Sequence, residues 1–344
     1  MNKTNFVRRE KRIDWMERGV DAWVKDILQM CKNLKMQGTG SYKELTNIFS
    51  QPAKLYFALA ARSRAKDCVS LEKIEIDSKL FLLRTEIEKA IYGSLMHNLE
   101  PFEGLIFERG FFGGSGKQGA TVRFPLFSCV PTEKCSSGCY AHDGRDKHLT
   151  SIIRGVFNFI LCEWIKKNIE SDSNHGRFSK FLHQIDVLIL DSIAEAESSK
   201  ISGYERQARI RLSHVGEMAS MPEVTNWIAS LIINRSKSRV IPVIYTRHPD
   251  AIRLDSKRIV VNFTIESDSD PRRIYAPKGA RLVGSSWAGQ LIKIAEVNFL
   301  EHHGTTHSVT QGAGTVCPVT AYHEATPSCD SAHCNKCFCK PILK

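Results

Sequence analysis

Four apolar, β-prone runs in this chain each end in a cluster of polar or thiol residues, with helix-like text between most of them. Thr121–Phe127 runs into Cys129. Arg209–Ser213 breaks at His214-Val215-Gly216-Glu217, Val240–Thr246 is followed by Arg247-His248, and Arg258–Ile265 by Glu266-Ser267-Asp268. Strands alternating with helices fold as a parallel sheet or a partial (β/α) barrel. In such sheets the loops at the carboxyl ends of the strands line one edge, and ligands collect there. All four clusters are therefore expected on one rim. Ala280–Val283 and Ile292–Phe299 are weaker strand candidates, and Pro242 removes a ladder donor from the third run, which points to an edge or a bulge.

The first of these clusters is the densest in chemistry. Cys129-Val-Pro-Thr-Glu-Lys-Cys135-Ser-Ser-Gly-Cys139-Tyr140 places three thiols within eleven residues. Thiolates packed so closely repel one another unless they share a metal or an iron–sulfur cluster. Structural zinc takes four ligands, so either a residue such as His142 or His148 completes the set or one position stays open. A second cluster, Cys317, Cys329, Cys334 and Cys337, supplies four thiolates with Cys339 to spare. Four are enough to close a tetrahedral zinc site or to hold a second iron–sulfur cluster. Histidines 302, 303, 307, 323 and 333 crowd the same stretch.

The remaining text divides the chain into three parts. Residues 1–110 read as a helical N-terminal region, with Trp15, Val20, Trp23, Val24, Ile27 and Cys31 at helical spacing, then helix-like runs over Ser41–Arg62 and Leu71–Leu95. Residues 111–300 are the α/β core that carries the cysteine loop, and residues 301–344 a Cys-rich metal-binding tail. Within the core, Leu149–Ile169 and Phe178–Ala194 form a long helical crossover. Ser220-Met-Pro-Glu223 has the N-cap pattern of a further helix running to about Asn234. The Gly-rich stretch Phe111–Ala120 lacks the spacing of a phosphate-binding loop and is expected to be a turn.

Composition narrows the function classes. The net charge of +11 favours an acidic partner such as nucleic acid or a phosphorylated ligand, although the charge is scattered. The polar start of the chain has no signal-peptide pattern, and Ile152–Ile165 is interrupted by Arg154 and Glu163. Eleven cysteines without a leader are expected to be cytoplasmic thiols, with no membrane role.

The Cx5Cx3CYA loop after one strand, and the Gly-Glu pair after the next, resemble the radical S-adenosylmethionine superfamily. The set CYA, LSHVGEM, VIYTRHP and CP…C…CNKCF resembles more closely the phage "gene product 88" family over about residues 121–340. The superfamily resemblance implies that Cys129, Cys135 and Cys139 hold a [4Fe–4S] cluster and that Tyr140 is the aromatic residue following them. It implies that Gly216 and Glu217 serve the amino group of S-adenosylmethionine, and Ser267 or Asp268 its ribose. The activity implied is reductive cleavage of that cofactor to a radical that abstracts hydrogen from an unknown substrate. The loop departs from the superfamily's commoner Cx3Cx2C spacing at both intervals. The alternative, of another class, is a zinc-stapled nucleic-acid-binding or regulatory protein of a phage or mobile element.

Overall fold

The computed structural model describes residues 19–36, 38–65, 68–111, 114–115, 119–142, 146–169, 175–200, 207–287, 291–301 and 315–316. The second cysteine cluster (Cys317, Cys329, Cys334, Cys337) and the five histidines near it lie outside them. The chain divides into two compact units. One takes the described residues of Met1–Ile106, Pro125–Phe127 and Pro131–Val156; the other takes those of Phe107–Phe124, Ser128–Val130 and Phe157–Lys344.

The first unit is helical. Helix α1 covers residues 19–33, and its Val20, Trp23, Val24 and Ile27 are buried, as the spacing predicts. The run expected over Ser41–Arg62 breaks at Phe49 into α2 (Tyr42–Ile48) and α3 (Ser50–Ser63). Ser41 caps α2 by accepting the Glu44 N–H, and Glu44 in turn accepts from the N–H groups of Gly38 and Thr39, both at 2.8 Å. Helix α4 (Ser70–His97) packs on α3. Its buried face carries Ile76, Leu80, Leu83, Ile87, Ile91 and Leu95, and also two charges one turn apart. Arg84 and Glu88 are 1 % and 0 % exposed and form an ion pair at 2.7 Å.

That pair grips the chain on either side of the cysteine loop. Glu88 accepts the backbone N–H of Leu126 at 2.5 Å and that of Phe127. Arg84 donates to the carbonyls of Ala141 at 3.0 Å and Asp146 at 2.6 Å. A lone ion at this depth is prohibitive, whereas a paired and fully hydrogen-bonded one is held in place.

The second unit is built on one sheet of eight strands in chain order: β1 (Gly114–Ser115), β2 (Gly119–Thr121), β3 (Arg209–Arg211), β4 (Ile241–Thr246), β5 (Val260–Ile265), β6 (Arg281–Trp287), β7 (Val297–Glu301) and β8 (Thr315–Val316). β1 and β2 pair antiparallel; every later neighbouring pair is parallel. The expected α/β class with a parallel sheet is what the chain forms. Val243, Val260, Val283 and Val297, one from each of β4 to β7, pack into a single buried cluster. Each contributes on the order of 1.5–3 kcal/mol by leaving water.

Helices α7 (Leu149–Asn168) and α8 (His175–Lys200) supply the long connection between β2 and β3, and α8 lies against both strands. Helix α9 (Pro222–Arg235) covers β4 and touches α8, tied to it by the Arg235–Asp186 ion pair. Rings of Phe178 and Phe181 meet Trp227 of α9 at 5.9 and 5.8 Å.

Two local expectations are corrected. β4 is an interior strand, not an edge, with β3 on one side and β5 on the other. Ile241 donates to Ala208 and Val243 accepts from Leu212, so both face β3 and Pro242 faces the β5 side. The registered β4–β5 ladder begins one residue later, at Val243↔Val260, so the missing donor costs no ladder bond. Helix α9 is capped by Met221 with Pro222 in its first turn; Ser220 instead sits in the preceding 3-10 turn and donates to the Glu217 carbonyl.

Replacing Arg84 by Met leaves Glu88 buried without its partner, and is expected to destabilise the chain by about 3–5 kcal/mol. The double variant Arg84→Met/Glu88→Leu is expected to recover part of that loss. Urea unfolding of the wild type, both single variants and the double variant measures the coupling.

Candidate functional site

The rim of the sheet unit is set by main-chain pairing that continues past the formal ends of β2 and β3. Val122 donates to Arg211 at 2.8 Å, His214 donates to Val122 at 2.8 Å, and Phe124 donates to Val215 at 2.6 Å. Residues 122–124 therefore run alongside 211–215, with the second segment bulged relative to the first. The strand expected over Thr121–Phe127 ends in a 3-10 turn, Leu126–Ser128, after Pro125 interrupts the supply of N–H groups.

At the end of this pairing stands Gly216, with φ +72°. A Cβ there would lie 2.3 Å from the Phe124 carbonyl oxygen, so the close approach of the two backbones requires glycine. The next N–H, of Glu217, donates to the Ser128 hydroxyl at 2.8 Å. Ser128 immediately precedes Cys129, so within this unit the first cysteine of the loop and the Gly-Glu pair are held side by side. Both Ser128 and Glu217 are 7 % exposed.

Glu217 is the most unusual side chain on the rim. Burial pushes its carboxyl up to about 7, against the opposing pull of a hydrogen bond from Thr246, the charge of Arg247, a hydrogen bond from the Ala219 N–H and the charge of Arg211. Its Oε1 is buried and has no hydrogen-bond partner among the described residues. A buried carboxylate oxygen without a donor is costly unless a ligand supplies one.

The neighbouring strand ends complete the surroundings. Thr246 closes β4, and its hydroxyl also accepts the His248 N–H at 3.0 Å. Arg247 pairs with Glu266, just beyond β5, at 2.6 Å. Glu266 also faces Arg272 at 3.5 Å, which pairs with the buried Asp270 at 2.5 Å. Arg211 of β3 lies over the Tyr245 ring, 4.6 Å from its centroid. The polar residues after three successive strands thus form one connected network, as the rim expectation requires.

Ser267 and Asp268 are exposed. Asp268 accepts the Ile294 N–H at 3.0 Å and its carbonyl accepts from Arg273, so it ties the segment after β5 to the segment before β7. Asp270 is the residue of that loop that sequence reasoning missed. Its carboxylate accepts the N–H groups of Glu266 and Arg272 at 2.9 and 3.0 Å and braces the turn. The D-P pair at 270–271, a cap followed by a turn-initiating proline, is the signal that could have found it. His248 caps the turn Pro249–Arg253, its Nδ1 accepting from the Asp250 N–H at 3.2 Å.

Cys135 and Cys139 belong to the helical unit. Thr132 accepts the Cys135 N–H at 3.1 Å and starts the short helix α6 (Glu133–Ser137), which packs on α4. Gly138 ends it, and Tyr140 opens a 3-10 turn to His142, whose N–H donates to the Cys139 carbonyl at 3.2 Å. Cys139 is buried and Cys135 half-buried. Burial, and then the neighbouring Cys135, push the Cys139 thiol up to about 12. Such a thiol gives up its proton to a bound cation in preference to solvent.

Behind these cysteines lies a buried polar chain. Tyr56 of α3 bonds His142 Nδ1 at 2.8 Å and feels the charge of Arg84. Burial, with the Arg84 and Arg64 charges, lowers the His142 imidazole to about 3, and its Nε2 is buried without a partner among the described residues. The His148 ring packs against Phe57 at 5.2 Å. Among the described residues no group of three or more His, Cys, Asp or Glu side chains is gathered as a metal site, and no helix is long and apolar enough to cross a membrane. In kind, the donors fit: thiols on the loop, and a carboxylate oxygen awaiting a cationic or N–H partner.

Because the folded chain keeps the Glu217 proton to about pH 7 and an unfolded one releases it near 4.5, stability falls as pH rises between those values. The loss is about 3 kcal/mol. Glu217→Gln, which has no proton to lose, is expected to show a flatter profile and to gain on the wild type above pH 7. Urea unfolding from pH 4.5 to 8 checks this, and parallel profiles would refute it.

No protein-family model, no curated protein and no solved structure matches this chain.

Proposed function

We propose that the chain is an iron–sulfur enzyme of the radical S-adenosylmethionine type, akin to the phage gene product 88 family, acting on an unknown substrate. In this reading the parallel strands form a partial (β/α) barrel, which the chain order of the strands in the sheet supports. Cys129, Cys135 and Cys139 hold a [4Fe–4S] cluster with one iron left to the cofactor. Cys317, Cys329, Cys334 and Cys337 hold a second iron–sulfur cluster or a zinc.

The observation that carries the proposal is the unpartnered Oε1 of Glu217, buried at the end of β3 beside the segment that leads into Cys129. An ammonium group is the donor this oxygen lacks. The Glu217 N–H is tied to the Ser128 hydroxyl, and Thr246, Arg247 and the Ala219 N–H favour the ionised form of its carboxyl. Receiving a cation there favours the ionised carboxylate, so Glu217 releases the proton it holds near neutral pH as the ligand binds. Gly216 keeps the backbone close enough to Phe124 for this turn to form. The cluster, when bound, supplies the electron that splits the cofactor's sulfonium. The protein's part is to orient the cofactor and keep water from the site.

Purification without oxygen, with iron and acid-labile sulfide assays, is the first test. The expected product is brown, and its electron paramagnetic resonance signal changes when S-adenosylmethionine is added. Glu217→Gln is expected to retain the iron while weakening the response to the cofactor by about tenfold or more, since a hydrogen bond to a charged group is worth roughly 1.5–3 kcal/mol. Colourless protein carrying only zinc, with nucleic-acid affinity that falls steeply with salt, overturns the proposal in favour of the zinc-stapled binder suggested by the net charge of +11.

A further inference from the structure

A hydrogen bond behind the cysteines fixes where the His142 proton sits. Among the described residues the Tyr56 hydroxyl has one hydrogen-bond partner, His142 Nδ1. The Tyr56 hydroxyl hydrogen is then directed to His142 Nδ1, 2.8 Å away. The opposite arrangement would leave the hydrogen of a fully buried tyrosine without an acceptor. His142 Nδ1 therefore accepts, and a neutral ring must carry its proton on Nε2. That Nε2–H is buried, in a residue 0 % exposed, and has no acceptor among the described residues.

A protonated Nε2 has no lone pair to offer a metal, so His142 in this tautomer is a hydrogen-bond donor and not the fourth ligand of a zinc knuckle. The two guanidiniums whose charges act on the ring, Arg84 and Arg64, are themselves paired, with Glu88 and Asp77. The sequence places it three residues after Cys139, in the turn whose N–H returns to the Cys139 carbonyl. Cys139 in turn lies within the electrostatic reach of Tyr56, Arg84 and Cys135.

Resting on the iron–sulfur reading above, we infer that His142 Nε2–H donates a hydrogen bond to a sulfur of the metal centre held by Cys135 and Cys139, and thereby raises its reduction potential. A donor directed at a sulfur stabilises the more negative, reduced state of a cluster. His142 acts through that sulfur and not on the substrate, so it is a positioning and tuning residue. Tyr56 holds its tautomer.

The test is a redox titration of the full chain, reconstituted anaerobically with iron and sulfide and followed by electron paramagnetic resonance. His142→Leu removes the donor and is expected to make the cluster harder to reduce by about tenfold in the equilibrium constant, a lowering of about 59 mV for one electron. His142→Gln, which restores an N–H, is expected to recover part of the shift. Tyr56→Phe leaves the ring in place but frees its tautomer, and is expected to lower the midpoint by a smaller amount. An intact cluster whose midpoint is unmoved in His142→Leu, or in Tyr56→Phe should the leucine variant not fold, overturns the inference and leaves the iron–sulfur reading standing. Wild-type protein that takes up no iron or sulfide overturns both.

Discussion

One buried ion pair on a single helix turn governs the helical unit. Arg84 and Glu88 lie in the stripe of α4 that otherwise holds leucines and isoleucines, and neither reaches water. Their mutual attraction alone does not offset the loss of hydration at such depth. What completes the balance is the backbone they bind: two N–H groups at Leu126 and Phe127 on one side of the cysteine loop, two carbonyls at Ala141 and Asp146 on the other. The loop exists in this form because a pair of charges needs its backbone, and the charges are tolerated because the loop supplies it. Tyr56, within reach of the Arg84 charge, bonds His142.

The sheet unit solves a parallel problem with main chain alone. Hydrogen bonds between residues 122–124 and 211–215 carry the β2–β3 pairing beyond the strands, and the Ser128–Glu217 bond ends the series. Because strands β3, β4 and β5 are parallel neighbours, the residues that follow them meet: Glu217 with Thr246, and Arg247 with Glu266. A carboxylate placed there is shielded from water by its own fold. The cost of keeping it ionised is what drives its affinity for a proton upward, and the same cost makes a cationic ligand welcome.

The part of this arrangement carried by periodicity was legible in the sequence. The parallel class and the meeting of the strand ends follow from apolar spacing and from what stands at the end of each run. Among the described residues, however, the long helices expected between strands stand only before β3 and before β4, with 3-10 turns after β4 and β5. The parts that escaped depend on partners far apart in sequence. Glu88 meets Leu126 and Ser128 meets Glu217 only after folding, and no local pattern announces either contact. Arg84 and Glu88 did leave a trace, since two charges one turn apart on an apolar face demand an explanation. Pro242 misled for the opposite reason. A local rule about ladder donors assigned it to an edge, but the ladder on its side begins one residue later. Likewise Asp268 had the right chemistry for a rim ligand, yet it is engaged in bracing a loop, and the neighbouring Asp270 is the buried carboxylate there.

A sheet whose spatial order equals its chain order has a consequence for how the molecule is made. From β3 onward each strand docks on the one synthesised just before it, over short connections, so assembly can follow translation. The exception is the first parallel pairing, between Thr121 and Arg211, which must wait for α7 and α8 to emerge. Among the described pairings it closes the longest stretch of chain, so it carries the largest loop-closure cost in the sheet. A slip of one residue at that step would turn each side chain of the misaligned strand to the opposite face. Growth of the remainder onto such a template would yield a well-formed sheet with a blind rim.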